Sequence, residues 1–151
     1  MGRFVIVLVC AAVLSGCGQN RDIALLQPQP PGVRLLDMTR LEPDASGEGM
    51  VLRAFVQPDG MEQQVRYRFE LYGYKPRSAD SRGKRLILWP DIEIAADAPT
   101  NPYWREHLKA YEFVLPVEKS TAFFTTVVLE ITALGKSDLW TDTLKLRTKA
   151  P

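Results

Sequence analysis

The sequence predicts a mostly β protein: an antiparallel β-sandwich of about seven strands with at most one short helix. Three observations predict it. Apolar residues recur at every second position through most of the chain, which is the period of a half-buried strand. Turn-forming clusters break that pattern every 8–12 positions, the spacing of strands in sandwiches. No long segment repeats its apolar residues at helical spacing, so βαβ units and helical bundles fit poorly.

The elements follow in order. Residues 33–38 (VRLLDM) form a first expected strand, and Pro43-Asp44-Ala45-Ser46-Gly47 a turn. Residues 50–56 put Leu52, Ala54 and Val56 on one face. Pro58-Asp59-Gly60 ends them, because proline presets φ and glycine accepts the left-handed region. Val65, Tyr67, Phe69 and Leu71 alternate with Arg66, Arg68 and Glu70, the clearest half-buried strand in the chain. Residues 75–84 (KPRSADSRGK) are a polar loop. Residues 85–94 (RLILWPDIEI) are apolar and β-branched, but Pro90 has no N–H to give a ladder. A bulge, a bend or an edge strand is expected there.

Residues 95–109 carry Pro99 and Pro102 and then YWREHLK, expected to form one or two helical turns. Tyr111, Phe113 and Leu115 alternate again and stop at Pro116. Residues 124–133 place Val127, Leu129 and Ile131 on one face. Residues 139–147 point Leu144 and Leu146 inward and Lys145 and Arg147 outward. Strands so spaced suit an immunoglobulin-like or a transthyretin-like topology, with a small closed barrel as the other arrangement the pattern admits.

The N-terminus has a different character. Arg3 precedes a continuous apolar run, residues 4–14 (FVIVLVCAAVL), followed by small Ser15 and Gly16 and then Cys17. This is the layout of an export signal. The run is too short for a bilayer span, which takes about 20 residues. Leu14-Ser15-Gly16-Cys17 resembles the lipobox of bacterial lipoproteins. The resemblance implies a signal peptide over 1–16, cut between Gly16 and Cys17. It implies a diacylated Cys17 thiol and an acyl chain such as palmitate on the new amino terminus. A buried CH₂ contributes about 0.8 kcal/mol, so one chain binds marginally and two or more hold stably. Cys17 is therefore the expected membrane contact. Gly18 follows it where a sorting rule of enteric lipoproteins places Asp to retain them in the inner membrane. The resemblance thus implies the periplasmic face of the outer membrane rather than the inner membrane.

Residues 17–32 then read as the lipidated cysteine and a linker, and 33–151 as the β domain. Pro28, Pro30 and Pro31 favour polyproline II, a semi-rigid spacer of about 3.1 Å per residue. Ile23, Leu25 and Leu26 are the linker residues able to pack on the domain. Lipobox, linker and one sandwich together are similar in layout to the small transthyretin-like lipoprotein of type VI secretion. That likeness is one of layout and carries no residue across.

Composition narrows the function. Removing residues 1–16 from the 151-residue chain leaves 135, enough for one domain with a real core. The signal takes Arg3 from the 19 basic residues, leaving 18 against 18 acidic ones. A balanced chain has no electrostatic footprint for nucleic acid. Cys10 leaves with the signal and Cys17 is the lipid site. The mature domain then has no thiol for a disulfide, an iron–sulfur cluster or a nucleophile, and nothing in the sequence implies a cofactor.

Candidate sites remain. His107, the single histidine, has no Gly-x-Ser-x-Gly elbow and no second His or Cys ligand to work with; it reads as a surface residue of the short helix. Asp91, Glu93 and Asp97 could offer oxygens to calcium, but Ile92 and Ile94 between them describe a strand with an acidic outer face. Trp89-Pro90-Asp91 spells the acid loop of tyrosine phosphatases without the cysteine those enzymes need. Lys75, Arg77, Arg82, Lys84 and Arg85 make a basic loop, suited to anionic headgroups, to an acidic partner, or simply to guarding strand edges. Tyr103, Trp104 and Tyr111, with Tyr72 and Tyr74, are the candidate partner-binding residues, since rigid aromatics anchor interfaces. The competing role for Trp104 and Leu108 is to cap the open end of the sandwich.

These residues predict a non-catalytic binding domain displayed from a membrane. The alternative is a carbohydrate-binding or hydrolytic domain using Asp91, Glu93, Asp97 or Glu112, since paired carboxylates cleave glycosides at defined separations. Cys17→Ala is expected to move the protein from the membrane to the soluble fraction and to abolish incorporation of radiolabelled palmitate.

Overall fold

A computed structural model describes residues 32–59, 64–95, 101–118, 121 and 124–148. Cys17 and its lipobox, the linker before Gly32 and Asp97 lie outside the described residues. The described chain is almost entirely antiparallel β, folded as two packed sheets.

Ten strand segments make the two sheets: β1 (Gly32–Leu35), β2 (Arg40–Pro43), β3 (Met50–Asp59), β4 (Gln64–Tyr74), β5 (Arg82–Leu88), β6 (Ile92–Ala95), β7 (Trp104–Arg105), β8 (Ala110–Val117), β9 (Thr126–Leu134) and β10 (Leu139–Arg147). The first sheet runs β1–β3–β8–β7, with β2 beside β3 as well. The second runs β10–β9–β4–β5, with β6 also beside β4. The order A-B-E-D against G-F-C, with an extra strand on the C edge, is that of immunoglobulin-like sandwiches. It decides between the two topologies that the strand spacing admits.

Each of the seven expected strands is present. The larger number of segments has two causes. The edge of β4 is shared by two strands: β5 pairs with Glu70–Tyr74, and β6 pairs with Gln64–Tyr67. They part at Trp89-Pro90, where the chain bends. The edge of β3 is shared likewise by β1 and β2. β2 and β7 are only four and two residues long, too short to show a period of two.

The helix expected over YWREHLK does not form. Trp104 and Arg105 pair with Tyr111 and Ala110 as β7 against β8, and residues 106–109 make the connecting turn. Lys109 takes a positive φ of 50° to close it. The ladder wins because it lays Tyr103 and Trp104 against the core, whereas a surface helix this short is unstable by itself.

The core fills the space between the sheets. Val65, Tyr67, Phe69 and Leu71 of β4 and Val127, Leu129, Ile131 and Ala133 of β9 face Leu52, Ala54 and Val56 of β3 and Tyr111, Phe113 and Leu115 of β8. An aromatic seam crosses the interface: Phe69 lies 5.0 Å from Phe113, and Tyr67 5.6 Å from Phe113 and 5.8 Å from Tyr111, all tilted. Tilted pairs add about 0.5–1.5 kcal/mol each to the burial of their rings.

Two contacts tie the sheet edges. Trp89, 5% exposed at the bend after β5, donates its indole N–H to the Pro116 carbonyl of β8 at 2.7 Å. On the other side the Leu35 amide of β1 donates to Asp142 Oδ2 of β10 at 2.7 Å.

β5 bulges twice against β4, between Leu71 and Tyr72 and between Tyr72 and Tyr74. Gly83 sits at the second, where a Cβ would come within 2.8 Å of the Gly73 carbonyl. Phe113→Ala is expected to cost about 3–5 kcal/mol in chemical denaturation, the range for emptying a buried aromatic site.

Candidate functional site

The candidate partner-binding residues lie at one corner of the sandwich, on the β7–β8 hairpin. Asn101 builds the approach. Its side-chain oxygen accepts from the Tyr103 amide at 3.0 Å and its carbonyl from the Trp104 amide at 3.2 Å. The Tyr103 carbonyl then accepts from the Glu112 amide at 2.8 Å, extending the hairpin. Leu108 N–H bonds to the Arg105 carbonyl and Lys109 N–H to the Glu106 carbonyl, closing the turn.

The aromatic side chains stack from the surface inward. Trp104 meets Tyr111 edge-on at 5.0 Å, and Tyr103 lies 5.1 Å from Phe113. Tyr103 and Trp104 are half-buried, whereas Tyr111 is 6% exposed and belongs to the core. Tyr103 and Trp104 therefore reach the surface, and Tyr111 lies beneath them. Leu108 is half-buried in the same turn. Trp104 donates its indole N–H to Glu106 Oε2 at 2.7 Å, and Lys109 pairs with the same carboxylate. The Lys109 ammonium and then the Trp104 indole hold the Glu106 carboxyl below its usual range. His107 sits exposed in this turn rather than on a helix.

A row of alternating charge braces the outer face of the first sheet from β2 to β7. Arg40 and Arg53 both bond Glu42, Arg53 also bonds Glu112, and Arg105 bonds Glu112 from the other side. Burial works to raise the Glu112 carboxyl, but the hydrogen bonds from Arg105 and Arg53 outweigh it and leave the carboxyl lowered.

Asp91 and Glu93, also named from the sequence, are paired as well. Arg68 holds Asp91 through two bonds of 2.9 and 3.0 Å, and Arg66 holds Glu93 at 2.6 Å. Asp91 and Glu93 face out from the second sheet, Glu112 from the first. They point away from opposite sides of the sandwich, so Glu112 cannot work with either across one glycosidic bond. Among the described residues no group of three His, Cys, Asp or Glu side chains could hold a metal ion.

Of the residues expected in a basic loop, Arg82, Lys84 and Arg85 instead lie on β5, where pairing with β4 extends the strand; Arg82 bonds Asp80 and Glu130, and Arg85 bonds Glu70 at 2.8 Å. Tyr72 donates to Glu70 at 2.8 Å, and burial followed by this bond pushes its phenol up to about 12. The Arg82 side chain, then its amide, holds Asp80 down at about 2. Lys145 sits 3.8 Å over the Tyr74 ring and Arg82 5.8 Å over Tyr72. The buried Glu130 and the cation–aromatic pairs have no signature along the sequence, because each partner comes from a different strand. Elsewhere a cleft of about 360 Å³ opens between Gln64, Arg66, Glu93, Leu134 and Lys136, at the other end of the second sheet.

No family model matches the chain, and neither a curated protein nor a solved structure matches it.

The lowered Glu112 carboxyl fixes a sign for acid stability. A carboxylate held below its unfolded value stabilises the fold above that value, about 4.3 for Glu, and the benefit is lost as pH falls through the folded value. Thermal unfolding is expected to drop below about pH 5. Glu112→Gln is expected to destabilise by about 1–2 kcal/mol at neutral pH and to flatten that acid limb.

Proposed function

We propose that this chain is a lipid-anchored lipoprotein of the bacterial cell envelope whose sandwich binds a protein or another envelope component without catalysing a reaction. The observation that carries the reading is the Leu14-Ser15-Gly16-Cys17 box, followed by a proline-containing spacer and then by a domain whose first strand begins at Gly32. The fifteen residues from Gly18 to Gly32 can reach roughly 45 Å if they run as polyproline II. Such a spacer displays a domain clear of the surface that anchors it.

Paired carboxylates support a binding role. Asp91, Glu93 and Glu112 each meet an arginine, so they serve the sheets rather than stand ready for acid–base work. Tyr103 and Trp104 supply the amphipathic aromatic surface that interfaces favour.

Crosslinking in intact cells, followed by recovery of the anchored protein, tests the reading. A single reproducible partner is expected, and it is expected to be lost from the Tyr103→Ala, Trp104→Ala double variant while that variant keeps its β circular-dichroism spectrum. Unchanged recovery of the partner would assign these two rings to core capping alone. If no partner is recovered in any condition, the binding reading fails.

A further inference from the structure

We infer that the outer face of the second sheet, at the end carrying the β4–β5 hairpin, is a docking surface for an acidic protein. The inference rests on the anchored-domain reading for its orientation and on side-chain placement for its chemistry.

Pairing registers define the two ends of the domain. Gly32, where the linker enters, pairs with Asp59 at the end of β3. Five residues later β4 begins at Gln64. Ten steps along β4 lies Tyr74, roughly 33 Å away at 3.3 Å per residue. The β4–β5 hairpin is therefore at the end remote from the tether, directed away from the anchoring membrane.

That end concentrates positive charge on one face. The hairpin brings Lys75, Arg77, Arg82, Lys84 and Arg85, and β10 adds Lys145 and Arg147, all of them exposed. Among the described residues at that end of the second sheet and in its β4–β5 hairpin, three carboxylates oppose these seven cations, Glu70, Asp80 and Glu130. The excess is about four charges in a mature chain whose formal side-chain charge balances, so it is a local asymmetry and not a general basicity. Arg77, Lys84 and Arg147 make no ion pair among the described residues.

The three carboxylates hold the arginines in place. Glu130 is 6% exposed and bonds Arg82, which Asp80 grips from the loop; Glu70 bonds both Arg85 and the Tyr72 hydroxyl. Tyr72 and Tyr74 lie beneath Arg82 and Lys145. Arg82, Arg85, Lys145 and the two tyrosines thus form a pre-ordered centre with little side-chain entropy left to lose on binding, bordered by Arg77, Lys84 and Arg147.

Acidic protein fits it better than lipid or glycan. Tyrosine and arginine are the residues enriched where protein meets protein. A pleated face offers a broad plane of charge rather than the backbone nest or helix terminus that encloses a single phosphate. The face also lies at the end away from the membrane that the lipid would occupy. Complementary charge then steers the encounter and makes it depend on salt.

The test uses the full chain in neutral detergent, with poly-L-glutamate as the acidic polypeptide probe, phosphatidylglycerol vesicles as the lipid probe and heparin as the glycan probe. Poly-L-glutamate is expected to bind best, to weaken steeply with salt, and to lose at least about tenfold in affinity to the Arg77→Glu, Lys84→Glu double variant. Arg34→Glu with Lys136→Glu changes the net charge equally at exposed sites away from this end and is expected to leave binding within about twofold. Tighter binding to vesicles or heparin overturns the assignment in favour of that ligand. Equal losses in the two double variants overturn the site, and no binding to any probe overturns the proposal. Vesicle binding is scored as the excess for phosphatidylglycerol over phosphatidylcholine vesicles, into which a lipidated Cys17 inserts alike, so failure here is distinct from failure of anchoring.

Discussion

The rest of the structure depends on one contact: β4 against β8 across the middle of the sandwich, through Tyr67, Phe69, Tyr111 and Phe113. No cysteine occurs after Cys17, so no covalent link joins the two sheets. Large rings replace it, each burying more area than an aliphatic side chain and adding a tilted ring–ring term. Burial pushes the Tyr67 and Tyr111 phenols up, which favours the uncharged rings in the seam. Trp89 extends the seam at one edge by donating its indole N–H to the Pro116 carbonyl.

Around that seam the outer faces obey a second rule. Wherever β4 turns a charge outward, a neighbouring strand answers it: Arg66 with Glu93, Arg68 with Asp91, Glu70 with Arg85. The first sheet repeats the device from Arg40 through Glu42, Arg53 and Glu112 to Arg105. Exposed pairs of this kind contribute little individually, about 0–1 kcal/mol. Their effect is to specify register, since a slip by one residue would set apolar side chains outside and oppose like charges. The same pairing ties each of these carboxylates to an arginine.

Where the pairing stops, the proposed functions begin. The remote end of the second sheet has more cations than its carboxylates can answer. The β7–β8 corner near the tether has more aromatic surface than the core can cover. A domain held by one end would then offer two chemically distinct surfaces, a charged one facing away and an aromatic one nearer the anchor.

Much of this was legible along the chain, because strand period and turn chemistry are local. Val65–Tyr67–Phe69–Leu71 announced β4, and Pro90 announced the break between β5 and β6. β2 and β7 were not legible: each is too short to carry a period, and each exists only because a longer strand offers it an edge. The YWREHLK segment misled for the same reason, since helical spacing is a local preference and the hydrogen bonds it gave up were replaced by β8. Sequence by itself determined the sandwich, its core faces, the absence of thiols from its sheets and the expectation of a lipid anchor. Tertiary structure alone decided the strand order, the burial of Tyr111, the partner of every arginine and the end at which positive charge collects. These depend on residues far apart in the chain, and only the pairing of strands brings such residues to one face.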